Sequence, residues 1–238
     1  MIDTIMFDLD GTLLPLDEID FIERYFASIG ALAEPLGLSV STLHHQIWAG
    51  TKAILSTTGR MTNEEAFWAV FSRGIKRNRC EVEPLFLEYY RTGFEAVRPS
   101  TRPNPLAKPL IDFLKTKRVR LILATNPVFP AIATQKRMSW IGLDFSDFSH
   151  VTTYENACFA KPNINYYRTL LAQFSLDPQA CMMVGNDVDE DMVAAQLGIH
   201  PYLVTDCLNN RNHKDIDGYP HGRFQELYVE LLARYRDC

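Results

Sequence analysis

Hydrophobic and polar positions along this chain follow a helical rhythm in one long stretch and a mixed rhythm elsewhere. At the start, Ile5, Met6 and Phe7 form a short apolar run closed by Gly11, which predicts a buried strand. From Pro15 to about Arg98 the pattern is helical throughout. Asp17 is placed to cap a first helix with Ile19, Ile22, Phe26 and Ile29 on one face. Glu34-Pro35 and Gly37 interrupt it, and a second helix is expected from Ser41 towards Ser56. Thr62-Asn63-Glu64-Glu65 has capping-box spacing and opens a third helix, with Ala66, Phe67, Val70 and Phe71 as its buried stripe. Lys76 to Arg79 reads as a turn. A fourth helix spans about Val82 to Val97, packing through Leu85, Leu87, Tyr90 and Phe94.

Pro99, Pro103, Pro105 and Pro109 then crowd a short interval and mark a linker. After it, helices and strands alternate. Helices are expected at about 106–117, 131–140, 163–174, 189–197 and 225–236, and strands at 119–124, 150–153, 181–184 and 202–204. Asn209 to Gly222 reads as an exposed loop. Alternating strands and helices imply a parallel sheet covered on both faces. A lone strand is not stable, so the first strand belongs with this later half. The expected architecture is a discontinuous α/β core, 1–14 plus 99–238, interrupted by an all-helical cap at 15–98. The cap leaves the core just after Asp8 and Asp10, where it can act as a lid over them.

Composition narrows the function classes. The chain has 238 residues, 47% hydrophobic and 22% charged, with ample apolar material for a core. A net charge of -5 gives no basic footprint for nucleic acid. The five cysteines (Cys80, Cys158, Cys181, Cys207, Cys238) are widely spaced, with no metal-ligand spacing, and read as free thiols in a reducing compartment. The N-terminus enters the first strand without a basic region or cleavage site, and no apolar run is long enough to cross a bilayer. A cytoplasmic protein, monomer or homodimer, is expected, without nucleic-acid or membrane partners.

The chemistry concentrates at the ends of the expected strands. Asp8 and Asp10 end the first one, where an open α/β sheet usually places its ligand site. Packing does not call for acids there, whereas phosphoryl transfer through an aspartyl-phosphate needs a carboxylate nucleophile beside a second acid–base group. Thr125-Asn126 follows the 119–124 strand, although Asn126-Pro127 is also ordinary turn chemistry. Lys161-Pro162 precedes a helix, and Gly185-Asn186-Asp187 with Asp191 follows the 181–184 strand. The four-residue gap between Asp187 and Asp191 suggests one helix face, one turn apart. Acids at a helix start also favour the helix dipole, which suffices for Asp189 and Glu190.

These pieces resemble, in order, the four motifs of the haloacid dehalogenase (HAD) superfamily of aspartyl-nucleophile hydrolases. Asp8-Leu9-Asp10-Gly11-Thr12 is the most specific of them. The helical insertion looks like that family's first (C1) cap type. The resemblance implies a Rossmann-like parallel-sheet core, a phosphatase-type reaction and Mg²⁺. Asp8 is implied as nucleophile and Asp10 as general acid and base; family members acting on carbon–halogen bonds lack the second acid. Thr125 and the Asn126 N–H are implied to bind phosphoryl oxygens, and Lys161 to neutralise Asp8 and the phosphoryl group. Asp8, the Asp10 carbonyl and Asp187 are implied metal ligands, with Asn186 and Asp191 in support. The family's usual Gly-Asp is Gly-Asn-Asp here, so either Asn186 or Asp187 faces the metal. Four carboxylates around one phosphate would raise each other's pKa and repel it, which a dication and Lys161 offset. Phosphatase of a small phosphorylated metabolite is the leading expectation. A sugar phosphomutase and a non-catalytic phospho-ligand-binding protein are the alternatives. Arg24, His44, His45, Trp48, Lys52 and Arg60 are candidates to face the substrate from the cap, while Trp48, Phe67, Trp68 and Phe71 also read as cap core.

Overall fold

The first apolar run forms β1 (Thr4–Phe7), whose Ile5, Met6 and Phe7 are fully buried. The computed structural model describes residues 2–236. Helices follow: α1 (Glu18–Ile29), the single turn α2 (Ala33–Leu36), α3 (Val40–Leu55), α4 (Asn63–Ile75) and α5 (Arg79–Thr92). A 3-10 segment, Phe94–Ser100, leads out of them. The alternating half contains α6 (Ala107–Lys115), β2 (Arg120–Leu123), α7 (Ala131–Ser139), β3 (His150–Val151) and α8 (Ile164–Phe174). It closes with β4 (Cys181–Gly185), β5 (His200–Val204), β6 (His221–Gly222) and α9 (Phe224–Arg234).

The six strands form one parallel sheet in the order β3-β2-β1-β4-β5-β6. β1 is central because it is apolar on both faces: Ile5 and Phe7 join one cluster with Leu121, Leu123 and Val184, and Met6 joins another with Ile122 and Met183. The chain builds outward from β1 to β2 and β3, then returns to add β4 on the other side. The order therefore reverses beside β1, and the carboxyl ends of β2, β1 and β4 stand next to each other at the crevice where such sheets bind ligands.

The helices between β1 and β2 surround their own apolar cluster, which includes Phe21, Ile47, Phe71 and Phe86 and also takes in Ala133, Tyr154 and Ala160 from the sheet half. Each large side chain buried there is worth about 1.5–3 kcal/mol. The caps form where the sequence places them. Asp17 Oδ1 accepts from the N–H groups of Ile19 and Asp20, and Thr62 and Glu65 form a reciprocal capping box. Asn63, at the start of α4, is fully buried and stitches the two halves together: its amide donates to the carbonyls of Pro127 and Phe159. The backbone N–H groups of Asn63 and Glu64 donate to Ala157 and Tyr154.

Several details differ from the periodicity. Ile19 is 73% exposed, because Phe21, Tyr25 and Ile29 carry the buried face of α1. Trp48, expected among the core aromatics, is 51% exposed. α3 begins one residue before Ser41, capped by Ser39. α5 ends at Thr92, and its most buried contacts come from Val82, Phe86, Tyr89 and Tyr90 rather than Leu85 and Leu87. The segment after β4 is a turn followed by 3-10 helix, Met192–Leu197. β6 lies inside the stretch read as loop, and pairs with β5 through main-chain bonds. Cys80, Cys158, Cys181 and Cys207 are free thiols, and Cys238 lies outside the described residues. No single helix among the described residues is long and apolar enough to cross a membrane.

Candidate active site

Asp8 is the first residue beyond β1. Its N–H donates to the Val184 carbonyl at 2.8 Å, so the sheet's hydrogen bonding fixes the backbone from which the carboxylate projects. The chain then turns sharply at Gly11, with φ of +86°, a conformation glycine adopts without steric cost. A Cβ there would also collide with the Asn186 side chain. The turn aligns Thr12, whose hydroxyl lies 3.4 Å from Asp8 Oδ2 and 2.9 Å from Asn186 Oδ1.

Lys161 is 1% exposed and donates to Asp8 Oδ1 at 3.0 Å and Asp191 Oδ1 at 2.6 Å. The other oxygen of Asp191 accepts from the Asp187 N–H. Asp191 therefore holds Lys161 and the turn after β4 at once. Gly185 permits this, since a Cβ there would overlap the Asp191 carboxyl. Asp187 Oδ1 caps the same turn by accepting from the N–H groups of Asp189 and Glu190, each at 2.8 Å. The two acids are thus linked through a capped turn rather than along a regular helix face. Asn186 is clamped between Thr12 and the Cys207 carbonyl.

Thr125, 2% exposed, lies at the end of β2, where its carbonyl accepts from Thr152 and Tyr166 hydroxyls. The Asn126 side chain grips the Lys161 loop, accepting from the Lys161 N–H at 3.2 Å, and donates to Glu190 at 2.8 Å. Asp8, Asp10, Thr125, Asn126, Asn186, Asp187 and Asp191 all line one cavity of about 800 Å³ between sheet and helices, and Lys161 sits behind Asp8. Of the six candidate cap residues, Trp48 is the one on this wall among the described residues. Arg24 is paired with Asp20, and His44 bonds the Phe26 carbonyl. His45, Lys52 and Arg60 are exposed.

Two residues here escaped the sequence reading. Arg137 of α7, 1% exposed, forms a short ion pair with the Asp10 carboxylate. It also reaches Thr134 Oγ1 at 3.2 Å and stands 4.6 Å over the Phe129 ring. Its signal was a cation on the apolar face of α7, beside Ala133, Thr134 and Met138. Glu190, assigned to the helix dipole, instead lines the cavity and bonds Asn126. Asp189 is a surface acid held by Lys214 and Asn212.

The electrostatics are those of crowded acids. Burial pushes Asp8 up to about 7, against the lowering pull of Lys161, and Asp191 and Asp10 add to the rise. Burial raises Asp10, with Arg137 opposing it. Burial also raises Asp187, and lifts Glu190 to about 8. Burial would lower Lys161, yet Asp191 and Asp8 hold it well above its ordinary value, so it is a cation. Five acids (Asp8, Asp10, Asp187, Glu190, Asp191) thus face two cations (Lys161, Arg137), and Asp10 Oδ1 is buried without a hydrogen-bond partner. Among the described residues no three Asp, Glu, His or Cys side chains form a ready-made metal cage. Mg²⁺ needs none: it takes one or two carboxylates and fills its octahedron with water and phosphate oxygens. An all-oxygen donor set with surplus negative charge fits it.

The chain and its fold have relatives. The family model of haloacid dehalogenase-like hydrolases matches residues 2–198. The glyceraldehyde 3-phosphate phosphatase of Methanothermobacter thermautotrophicus is 26% identical over 226 residues, covering 92% of this chain and 93% of that protein. Among solved structures, a 2-haloacid dehalogenase from Pseudomonas syringae pv. tomato aligns with a TM-score of 0.63 at 19% identity, covering 98% of this chain and 99% of that one. A HAD phosphatase from Thermococcus onnurineus aligns at 0.59 and 18%, covering 97% and 98%. A HAD-family enzyme from Bacteroides thetaiotaomicron, in complex with magnesium and inorganic phosphate, aligns at 0.54 and 18%, covering 90% and 98%. At these identities the structural likeness speaks to the fold.

Proposed function

The chain belongs to the haloacid dehalogenase-like hydrolases, and on that premise we propose that it is a Mg²⁺-dependent phosphoric monoester hydrolase acting on a small phosphorylated metabolite in the cytoplasm. The observation that carries this reading is Asp8. It is a buried carboxylate at the switch point of the sheet, backed by Lys161 at 3.0 Å, with a second acid two residues on and a cavity in front. The phosphatase relative, 26% identical over nearly the whole length, supports the same reaction class. The helical insertion at 15–98 is proposed as the cap that encloses the substrate over the α/β core of 1–14 and 99–238.

An oxygen of Asp8 attacks phosphorus in line with the ester oxygen, forming the Asp8–phosphorus bond as the ester P–O bond breaks. Asp10, protonated at that moment, gives its proton to the departing alkoxide, which leaves as the alcohol. Asp10 then takes a proton from water as the water oxygen attacks the phosphoaspartate. Inorganic phosphate leaves and the Asp8 carboxylate is restored. Raised by burial and lowered by Arg137, the Asp10 carboxyl is suited to carry that proton both ways. Lys161 and Thr125 with the Asn126 N–H are assigned to the phosphoryl oxygens. Asp191 keeps Lys161 aimed at Asp8. Asp8, the Asp10 carbonyl and Asp187 are assigned to Mg²⁺, with Asn186 in support. When bound, the ion supplies positive charge against the phosphate and the surplus carboxylates.

Hydrolysis of an aryl phosphate tests the reading. Phosphate release is expected with Mg²⁺, and its loss with excess chelator and recovery on adding Mg²⁺ back. Equal turnover with and without the metal overturns the assignment of Mg²⁺. No release above a protein-free control, with any of several divalent metals, favours the binding-protein alternative.

A further inference from the structure

The cavity's floor and roof differ in chemistry. The floor carries the acids at the sheet end. The roof is contributed by the helices and is apolar and aromatic, with Phe21, Phe26, Trp48, Phe67 and Phe86 among its walls. Its polar atoms are few, and several are partly engaged. The hydroxyls of Tyr25 and Tyr90 pair at 3.0 Å, Trp68 Nε1 donates to the Tyr154 hydroxyl at 3.4 Å, and Thr51 donates to the Ile47 carbonyl at 3.1 Å. The arginines that reach the cavity are similarly occupied or peripheral. Arg137 is paired with Asp10, Arg211 with Glu18 at 2.5 Å, and Arg102 is exposed at the rim beside Cys207. Asp17, Glu18 and Asp20 add negative charge there.

A sugar entering this roof would exchange water for walls with few free donors and acceptors, a loss for each buried hydroxyl left unpaired. A second anionic group would meet Asp17, Glu18 and Asp20, opposed at the rim by Arg102. An apolar group loses nothing comparable and gains from each methylene it hides. A cavity of about 800 Å³ also far exceeds the needs of a three-carbon fragment and is in the range that encloses drug-sized ligands. Ile19 and Trp48, 73% and 51% exposed, continue the apolar wall to solvent.

We propose that the substrate is a phosphate monoester of an apolar alcohol, aryl or medium-chain alkyl, with its hydrocarbon in the helical roof and its phosphoryl group over Asp8. This rests on the phosphatase reading, and it excludes a sugar phosphate as the preferred substrate.

The test measures kcat/KM with Mg²⁺ for n-alkyl phosphates from ethyl to octyl, and for 1-naphthyl phosphate, against glycerol 3-phosphate and glucose 6-phosphate. The expected result is a rise along the alkyl series of up to about fourfold per methylene, with the polar esters at least about tenfold below octyl phosphate. A flat series, or a preference for either polar ester, overturns the proposal. Ile22→Asn places a polar amide on a partly buried wall position and is expected to lower kcat/KM for octyl phosphate at least about fivefold more than for glycerol 3-phosphate, and an equal loss on both overturns the proposal. If that variant does not fold, Trp48→Ala, at a half-exposed side chain, is expected to act in the same direction. Release of phosphate from none of the esters defeats the phosphatase reading alone. In that event, binding of 1-naphthol to the wild-type protein, read by tryptophan fluorescence, decides. Saturable binding weakened by Trp48→Ala upholds the apolar roof, and no binding overturns it.

Discussion

At the sheet end of the cavity, Asp8, Lys161 and Asp191 form a chain of alternating charges with side chains at most 9% exposed. At the helical end, Phe67 stacks on Phe71 at 5.4 Å and Trp68 meets Phe86 edge-on at 5.5 Å. The two regions share one cavity and obey different constraints. In the floor nearly every charged group has a named partner, Asp10 Oδ1 being the exception, so a change of residue type removes a function or strands a charge. In the roof the requirement is volume and apolarity, which several residues can meet at most positions. Chemistry is therefore written into the floor and selection into the roof. Substitutions should separate the two, with floor variants failing on every substrate and roof variants changing which substrate is preferred.

The largest effect expected is that of Asp8→Asn. Loss of the nucleophile should lower turnover by about a thousandfold or more on every ester tested. Stability should not fall with it. A carboxyl raised from its ordinary value to about 7 weakens the fold progressively as pH rises across that window, because the folded state resists ionisation. The amide carries no such penalty, and Lys161 keeps Asp191 at 2.6 Å. Thermal melting at pH 7 to 8 should place the variant at or above the wild type. Turnover near the wild-type rate would remove Asp8 from the chemistry and with it the distinction drawn here.

Next in size is Arg137→Met. Without its guanidinium, Asp10 loses the charge that opposes burial, and its carboxyl should rise further. The ionised base that the second half-reaction needs becomes scarcer at neutral pH. A kcat about ten- to a hundredfold lower is expected, with the rising limb of the pH profile moved to higher pH. Breaking a pair whose arginine is buried and whose carboxylate is 28% exposed should also cost about 1–3 kcal/mol of stability. Arg137→Lys, which keeps the charge but not the fork geometry, should restore the pH limb in part. An unmoved limb would reduce Arg137 to a packing residue.

Asn63→Ala probes the seam between the two regions. It removes two side-chain bonds, to the carbonyls of Pro127 and Phe159, from a fully buried site. A loss of about 1–3 kcal/mol is expected in denaturant unfolding, with kcat little altered if the floor is built independently of this contact. A collapse of kcat at unchanged stability would mean instead that the seam itself aligns the floor.

How much of this was legible beforehand follows the same division. Asp8 and Asp10 stood out because packing does not call for acids at a strand end, whereas Lys161 and Asp187 gained weight only from their place in the four resembling motifs. The strands on both sides of β1 were legible because apolar runs of four or five residues between turns have few alternatives. Arg137 and Glu190 were not, because their importance arises only when α7 and the turn after β4 fold against the β1 loop, and a helical cation or first-turn acid is ordinary in sequence. Ile19 was misplaced, and Trp48 was read both as cavity-facing and as core, for a related reason. An amphipathic stripe says which residues are apolar, and a cavity wall and a close-packed core present the same stripe. β6 left no signal at all, since two residues paired by main chain need no particular side chains.

The smallest effect contrasts the raised carboxyls of the floor with a lowered one elsewhere. Asp147 and Asp8 expose equally little area, 7% each, but Asp8 lies deep in the protein and Asp147 near its surface. Burial raises both, but Asp8 ends above the ordinary carboxylate value and Asp147 below it. Asp147 receives a hydrogen bond from Lys115 at 2.6 Å and from the Asp144 N–H, with Lys108 nearby, which together outweigh its burial. A lowered carboxyl contributes stability that is present above its unfolded pKa and disappears as pH falls through the folded value. Asp147→Asn should therefore cost stability at pH 7, and the gap from wild type should close as pH drops below about 4. Because Lys115 and Lys108 are 40% and 37% exposed, the effect is expected to be only about 0.5–1 kcal/mol. For Asp8→Asn the gap should change in the opposite sense, opening in the variant's favour as pH rises. If the two pH dependences ran in the same direction, burial alone would govern both acids, and the lysine and main-chain bonds to Asp147 could no longer explain the difference.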